Sequence, residues 1–202
     1  MPLRTNAQQE GKYVKIELFM AATMVAGAAT GCAFQKQAIQ LSPQLNVASS
    51  SIGSGKLTMV NVADERPRAT LGTRGVQGIG EQLTIQGDLS SIVKNAVEEG
   101  LKQQGFAVNG PIANQLRVEI RNLDYVVNSG FWTGRLNVEF LIKGVCVKSG
   151  ARPYEQTYRG EFRENVQVVQ GEAANNRYVN AAVSDGINSL LNDQALMSCL
   201  AQ

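Results

Sequence analysis

Polar and apolar residues alternate most cleanly after residue 115. Leu116, Val118 and Ile120 alternate with Arg117, Glu119 and Arg121, the two-residue period of a strand with one buried and one wet face. The phase then slips, because the next apolar residues are Leu123, Tyr125 and Val127. A β-bulge near Asn122 would absorb that extra residue. A second strand carries Leu136, Val138, Phe140 and Ile142 opposite Asn137, Glu139 and Lys143, and a third carries Tyr154, Tyr158 and Phe162 opposite Glu155, Arg159, Glu161 and Arg163. The Gly150 to Pro153 stretch marks a loop between those two. Upstream, Lys56 to Ala63 reads as a strand, and Pro67 stops its continuation. Gln82 to Ile85 is a short strand candidate.

The period changes from two to about 3.6 in two places. After Asp88, a good N-cap, Leu89, Ile92, Val93, Ala96, Val97, Gly100 and Leu101 line one helical face, and Gly105 ends it. A second helix runs from about Glu172 to Asn192, with Val179, Ala182, Val183, Gly186, Ile187, Leu190 and Leu191 as its apolar stripe. Asp193 caps a last short turn holding Leu196, Met197 and Leu200. The expected fold is α+β: a two-layer sandwich of a mainly antiparallel sheet with two helices on one face.

The N-terminal region has a different pattern. Leu18 to Ala29 is a run of about a dozen apolar residues, short of the roughly 20 that a membrane-spanning helix needs. Lys12 and Lys15 precede it and small residues close it, the layout of a secretory signal. Its last residues, Ala29-Thr30-Gly31-Cys32, resemble the bacterial lipobox, with Ala29 in place of the usual larger residue. The resemblance implies cleavage between Gly31 and Cys32 and lipid attachment to Cys32. Residues 1–31 are then the signal peptide, 32–55 a lipidated N-terminus and tether, and 56–202 a single α+β periplasmic domain. Ala38 to Leu41 and Leu45 to Val47 are apolar patches in that tether and candidates for a first strand, and its Ser/Gly-rich end reads as flexible. Ala33, rather than Asp, follows the cysteine; by resemblance to enterobacterial lipoproteins this favours the outer membrane, facing the periplasm.

Composition narrows the chemistry. The chain contains no histidine and carries a formal net charge of +2. The absence of histidine removes the usual general base near neutral pH, the common catalytic triads and the commonest transition-metal ligand. The expectation is therefore no enzyme, no catalytic or metal-binding residues and no cofactor. The balanced charge gives no reason to expect nucleic acid. Asp64 and Glu65 are adjacent on a strand, so they point to opposite faces and read as a strand-end ion pair rather than a catalytic pair. The glycine-rich stretch from Gly72 to Gly87 lacks a phosphate-binding fingerprint and reads as a surface loop. Trp132, beside Phe131, reads as a core edge.

Cys146 and Cys199 remain after Cys32 is lipidated. An oxidising compartment allows them to pair; two separately buried thiols are the alternative. Closing a loop of about 54 residues would add about 4 kcal/mol by the chain-entropy model. The Arg/Glu alternation on the strands forms a mixed-sign wet face, a solvated surface or one that docks a partner.

The order of lipobox, VNVADERP strand end, DLSSIVKNAVEEGLKQQGF helix, long strands and closing AAVSDGINSLLND helix resembles the YajG-like family of bacterial lipoproteins. That resemblance implies an envelope lipoprotein and brings no catalytic residues with it. Two roles follow as expectations. One is a binding or assembly protein, held to the membrane through lipidated Cys32, that meets an envelope protein partner. The other is an auxiliary lipoprotein of an envelope lipid-transport system, which requires an apolar groove between sheet and helices.

Overall fold

The computed structural model describes residues 36–73, 80–108, 114–129, 133–148, 153–167 and 170–202. It divides the chain into two compact units, residues 1–35 and 36–202, and the second is described below. Gly31, Cys32, Phe131 and Trp132 lie outside the described residues.

Among the described residues eight strands form one curled, mixed sheet. Its centre is a long antiparallel meander of β6 (Asn114–Ser129), β7 (Thr133–Lys148) and β8 (Tyr154–Gln167). The register of β6 against β7 shifts between Ile120 and Asn122. This is the bulge that the change of phase demands, and it keeps Leu123 and Tyr125 on the buried face.

The other edge of β6 departs from the antiparallel sandwich. β2 (Leu57–Asp64) runs parallel to the first half of β6, and β3 (Gly72–Thr73) pairs parallel with its second half at Tyr125. β4 (Gln82–Ile85) pairs antiparallel with β3 and parallel with β1 (Gln37–Ile39), and β5 (Ala107–Val108) adds to the outer edge of β2. The expectation of a mainly antiparallel sheet is thus corrected to a mixed one. Alternation of polar and apolar residues reports which face is wet, and it carries no information about a neighbour's direction. A parallel partner needs a long crossover, and the segment between β2 and β6 supplies it with helix α1 (Leu89–Gln103).

Among the described residues three helices, rather than two, accompany the sheet: α1, α2 (Glu172–Leu191) and α3 (Gln194–Ala201). The turn expected after Asp193 is long enough to be a helix, and Asp193 caps it by accepting from the Ala195 and Leu196 amides. Asp88 caps α1 in the same way through the Ser91 amide.

One continuous core lies between helices and sheet. Val93, Val97 and Leu101 from α1, Val179, Val183 and Ile187 from α2, and Val118, Ile120, Phe140 and Ile142 from the sheet are all fully buried. Burying each such side chain contributes about 1.5–3 kcal/mol. Two glycines let α2 press directly on the sheet. A Cβ at Gly160 of β8 would overlap the Ala182 carbonyl oxygen and the Gly186 amide, and one at Gly186 would lie 2.7 Å from the Phe140 ring. A disulfide between Cys146 of β7 and Cys199 of α3 closes the far end of this interface, with Cα atoms 6.4 Å apart.

Candidate functional site

Two surfaces stand out: a polar seam that holds the N-terminal segment, and the sheet face turned away from the helices.

Residues 36–47 do not form a free tether. After β1 the chain continues as an extended strap along α2. Ile39 is fully buried, and Leu41, Leu45 and Val47 pack against the core. The backbone between them is held by a ladder of side chains on α2. The amides of Gln40, Ser42, Gln44 and Asn46 donate to Asn176 Oδ1, Asn180 Oδ1, Ser184 Oγ and Asn188 Oδ1 at 2.5–3.0 Å. In return Asn180, Asn188 and Asn192 donate through Nδ2 to the carbonyls of Gln40, Gln44 and Asn46 at 2.8–3.2 Å.

The geometry follows from two rises. Two residues of extended chain advance about 6.6 Å and four residues of helix about 6.0 Å. A polar residue at every fourth helix position therefore meets every second strap residue. An Asn amide can both accept and donate, so this helix face presents the hydrogen-bonding pattern of a strand edge.

The strap is fastened at its start by a buried network. Tyr125 donates its hydroxyl to Asn175 Oδ1 at 2.7 Å, and Asn175 Nδ2 donates to Gln37 Oε1 at 2.8 Å. Asn175 is fully buried, so these bonds offset the desolvation of its amide.

The helix-free sheet face carries the expected Arg/Glu ladder. Arg159 pairs with Glu139 at 3.0 Å, Lys143 with Glu155 at 2.7 Å, and Arg163 with Glu161 at 2.5 Å. Glu119 is nearly buried between Arg117 and Arg121, and Glu65 pairs with Arg121 at 2.8 Å. Arg66 grips Asp64 through two nitrogens, at 2.8 and 2.9 Å, and these bonds hold the Asp64 carboxyl below its ordinary pKa. Asp64 and Glu65 therefore serve separate ion pairs.

Toward the end of the meander near residues 129 and 167, the ladder opens into a cleft of about 550 Å³ lined by Asn128, Arg135, Asn137, Arg163, Glu164 and Asn165. Arg135 is exposed and lies in register between Asn128 on β6 and Asn165 on β8. Among the described residues it has no acidic partner. The arrangement offers one open guanidinium and several amides, suited to a carboxylate or a polar backbone.

At the opposite end, Asp193 accepts hydrogen bonds from the Tyr154 and Tyr158 hydroxyls at 2.8 and 2.6 Å. Burial opposes its charge, but these hydroxyls and the α3 amides outweigh it, so its pKa lies below the ordinary 3.8. Burial, reinforced by Asp193, pushes the Tyr158 hydroxyl up. This trio fastens β8 to the start of α3.

Of the cysteines, the structure joins Cys146 to Cys199. Among the described residues, no group of three or more His, Cys, Asp or Glu residues is placed to hold a metal ion, and no helix is long and apolar enough to cross a membrane. The asparagine ladder was not anticipated from the sequence. Its signal is Asn176, Asn180, Asn188 and Asn192, poor helix formers recurring at multiples of four inside a helix.

A family model described as "Uncharacterized lipoprotein" matches residues 43–201. The chain belongs to this family of bacterial lipoproteins. Its layout agrees with the YajG-like resemblance. The matched region of this lipoprotein includes residues 43–47 of the strap and all of α2. Protein XCC0632 from Xanthomonas campestris shares the fold, with a TM-score of 0.53 over 81% of this chain and 95% of that one at 14% identity. A minor lipoprotein from Acinetobacter baumannii superposes with a TM-score of 0.42 over 67% of this chain and 89% of that one, at 6% identity. No curated protein matches the lipoprotein in sequence.

Proposed function

We propose that this lipoprotein is a non-enzymatic binding or assembly protein, lipid-anchored through Cys32 on the periplasmic side of the outer membrane. It meets a protein partner with the helix-free sheet face around Arg135. The observation that carries this reading is the contrast between the two faces of the sheet. The helix side is a packed core with Gly160 pressed on α2, whereas the other side carries the polar cleft. An acyl-chain carrier needs an apolar groove between sheet and helices, so the dry packing there supports the binding role over lipid transport. Gly31-Cys32-Ala33 supports the anchor and the outer-membrane destination.

The test is photo-crosslinking in intact envelopes. A crosslinking amino acid at Asn137 or Arg159 should trap a discrete protein adduct, and Arg135→Glu should weaken it. The same probe at Asp185, on the exposed side of α2, should trap none. Equal adducts from both faces, or none from the sheet, would contradict the proposal. Extraction of stoichiometric lipid from the soluble domain would favour the transport role instead.

A further inference from the structure

The strap changes how far the domain can stand from its anchor. Only Ala33 to Lys36 separate Cys32 from Gln37, the first residue of β1. Five residue steps, even fully extended, span at most about 18 Å. If residues 33–56 were a free tether up to β2, the limit would be about 90 Å. The difference is made by β1, held by its pairing with β4, the burial of Ile39 and the Gln37–Asn175 bond, and the asparagine ladder continues that hold from Gln40 to Asn46.

The strap also fixes which end is tethered. Gln37 pairs with Leu83 of β4 and reaches Asn175 near the start of α2. The strap then runs parallel to α2, because Gln40 meets Asn176 and Asn46 meets Asn188 and Asn192. The chain therefore enters the domain at the end that holds Gln82, the start of α2 and the last residues of β6 and β8. The opposite end, with Gln103 and the Cys146–Cys199 bond, is a helix length away. A helix of 20 residues spans about 30 Å.

We infer that β1 and the strap that continues it, by fixing the chain from Gln37 onward, hold the lipidated domain with its Gln37–Gln82–Glu172 end against the phospholipid headgroups of the membrane that anchors it. The Arg135 cleft belongs to this same end of the sheet, so the domain meets its partner beside the bilayer rather than at the reach of a long tether. This inference rests on the anchored reading of Cys32 given above.

The experiment uses the full lipidated chain reconstituted in phosphatidylethanolamine/phosphatidylglycerol vesicles carrying a headgroup acceptor dye. Donor dyes are placed at Glu172→Cys or Gln103→Cys, both exposed positions at opposite ends. Energy transfer should be at least about twofold higher from position 172 than from 103, given the roughly 30 Å between the ends. An insertion of about 20 Gly/Ser residues between Gln35 and Lys36, which lengthens the tether by about 70 Å at full extension and leaves the domain intact, should bring the ratio toward one. Equal transfer from both positions in the lipidated wild-type chain would overturn the inference alone, as would a ratio insensitive to the insertion. A chain whose N-terminal peptide carries no acyl mass on Cys32 would overturn the anchored reading and this inference with it.

Discussion

Helix α2 makes two interfaces that differ in kind. One face, with Ala182, Val183, Gly186 and Ile187, is fused to the sheet without a water-sized gap at Gly160. The other, with Asn176, Asn180, Asn188 and Asn192, holds the strap through exposed and half-buried hydrogen bonds. The first interface removes apolar surface from water, and each side chain adds kilocalories. The second exchanges bonds to water for bonds to protein, which nets about 0.5–1.5 kcal/mol apiece. The dry face therefore determines whether the domain folds. The polar face directs the backbone of residues 40–46 and adds to the hold of Leu41, Leu45 and Val47 on the core.

This contrast can be broken most severely at the disulfide that closes the dry side. Replacing Cys146 and Cys199 with Ser should lower stability by about 4 kcal/mol on the chain-entropy estimate, read by urea denaturation. Gly160→Ala comes next. Its methyl group would meet α2 backbone, and overpacking of this kind typically costs 1–3 kcal/mol. The strap should remain bound in both variants under native conditions.

Smaller changes should act on the strap. Asn188→Ala removes one bond to the Asn46 amide and one to the Gln44 carbonyl, for a loss of about 1–2 kcal/mol. Limited proteolysis should then cut within residues 40–47 faster while the midpoint of global unfolding barely moves. An equal loss of global stability would show that the strap and core are one unit.

The mildest change concerns pH. Because the folded Asp193 pKa lies below 3.8, its carboxylate stabilises the fold above that pH and loses this contribution as pH falls through the folded value. Asn at 193 still caps α3 but has no charge to lose. The stability gap between wild type and Asp193→Asn should hold steady from neutral pH to about 5 and narrow below 4. A pH-independent gap would remove the carboxylate from the account.

What the sequence made legible follows the same division. Apolar periodicity gave the three long strands, the bulge at Asn122 and the buried stripes of α1 and α2, because each of these is a face turned from water. Strand direction was not legible. Val60 and Val62 alternate identically whether β6 runs with or against them, and the parallel pairing depends on a crossover of some fifty residues. The strap was half legible. Leu41, Leu45 and Val47 were visible as apolar patches, but nothing in their spacing says what they lie against. That information sits about 140 residues away, in a polar periodicity of α2 that a search for apolar stripes passes over. The Arg135 cleft was hidden for a related reason. The strands showed a mixed-sign face, but only the cross-strand register reveals which charges are paired and that Arg135 has no acidic partner among the described residues.

Amide hydrogen exchange across residues 39–48 reports directly on whether the strap is docked. The bonding pattern predicts protection at every second amide: Gln40, Ser42, Gln44 and Asn46 slow, and Leu41 and Leu45 faster. Asn180→Ala should release Ser42, whose amide it receives. Exchange at free-chain rates throughout residues 40–47, with the core still protected, would show a loose tether and contradict the account.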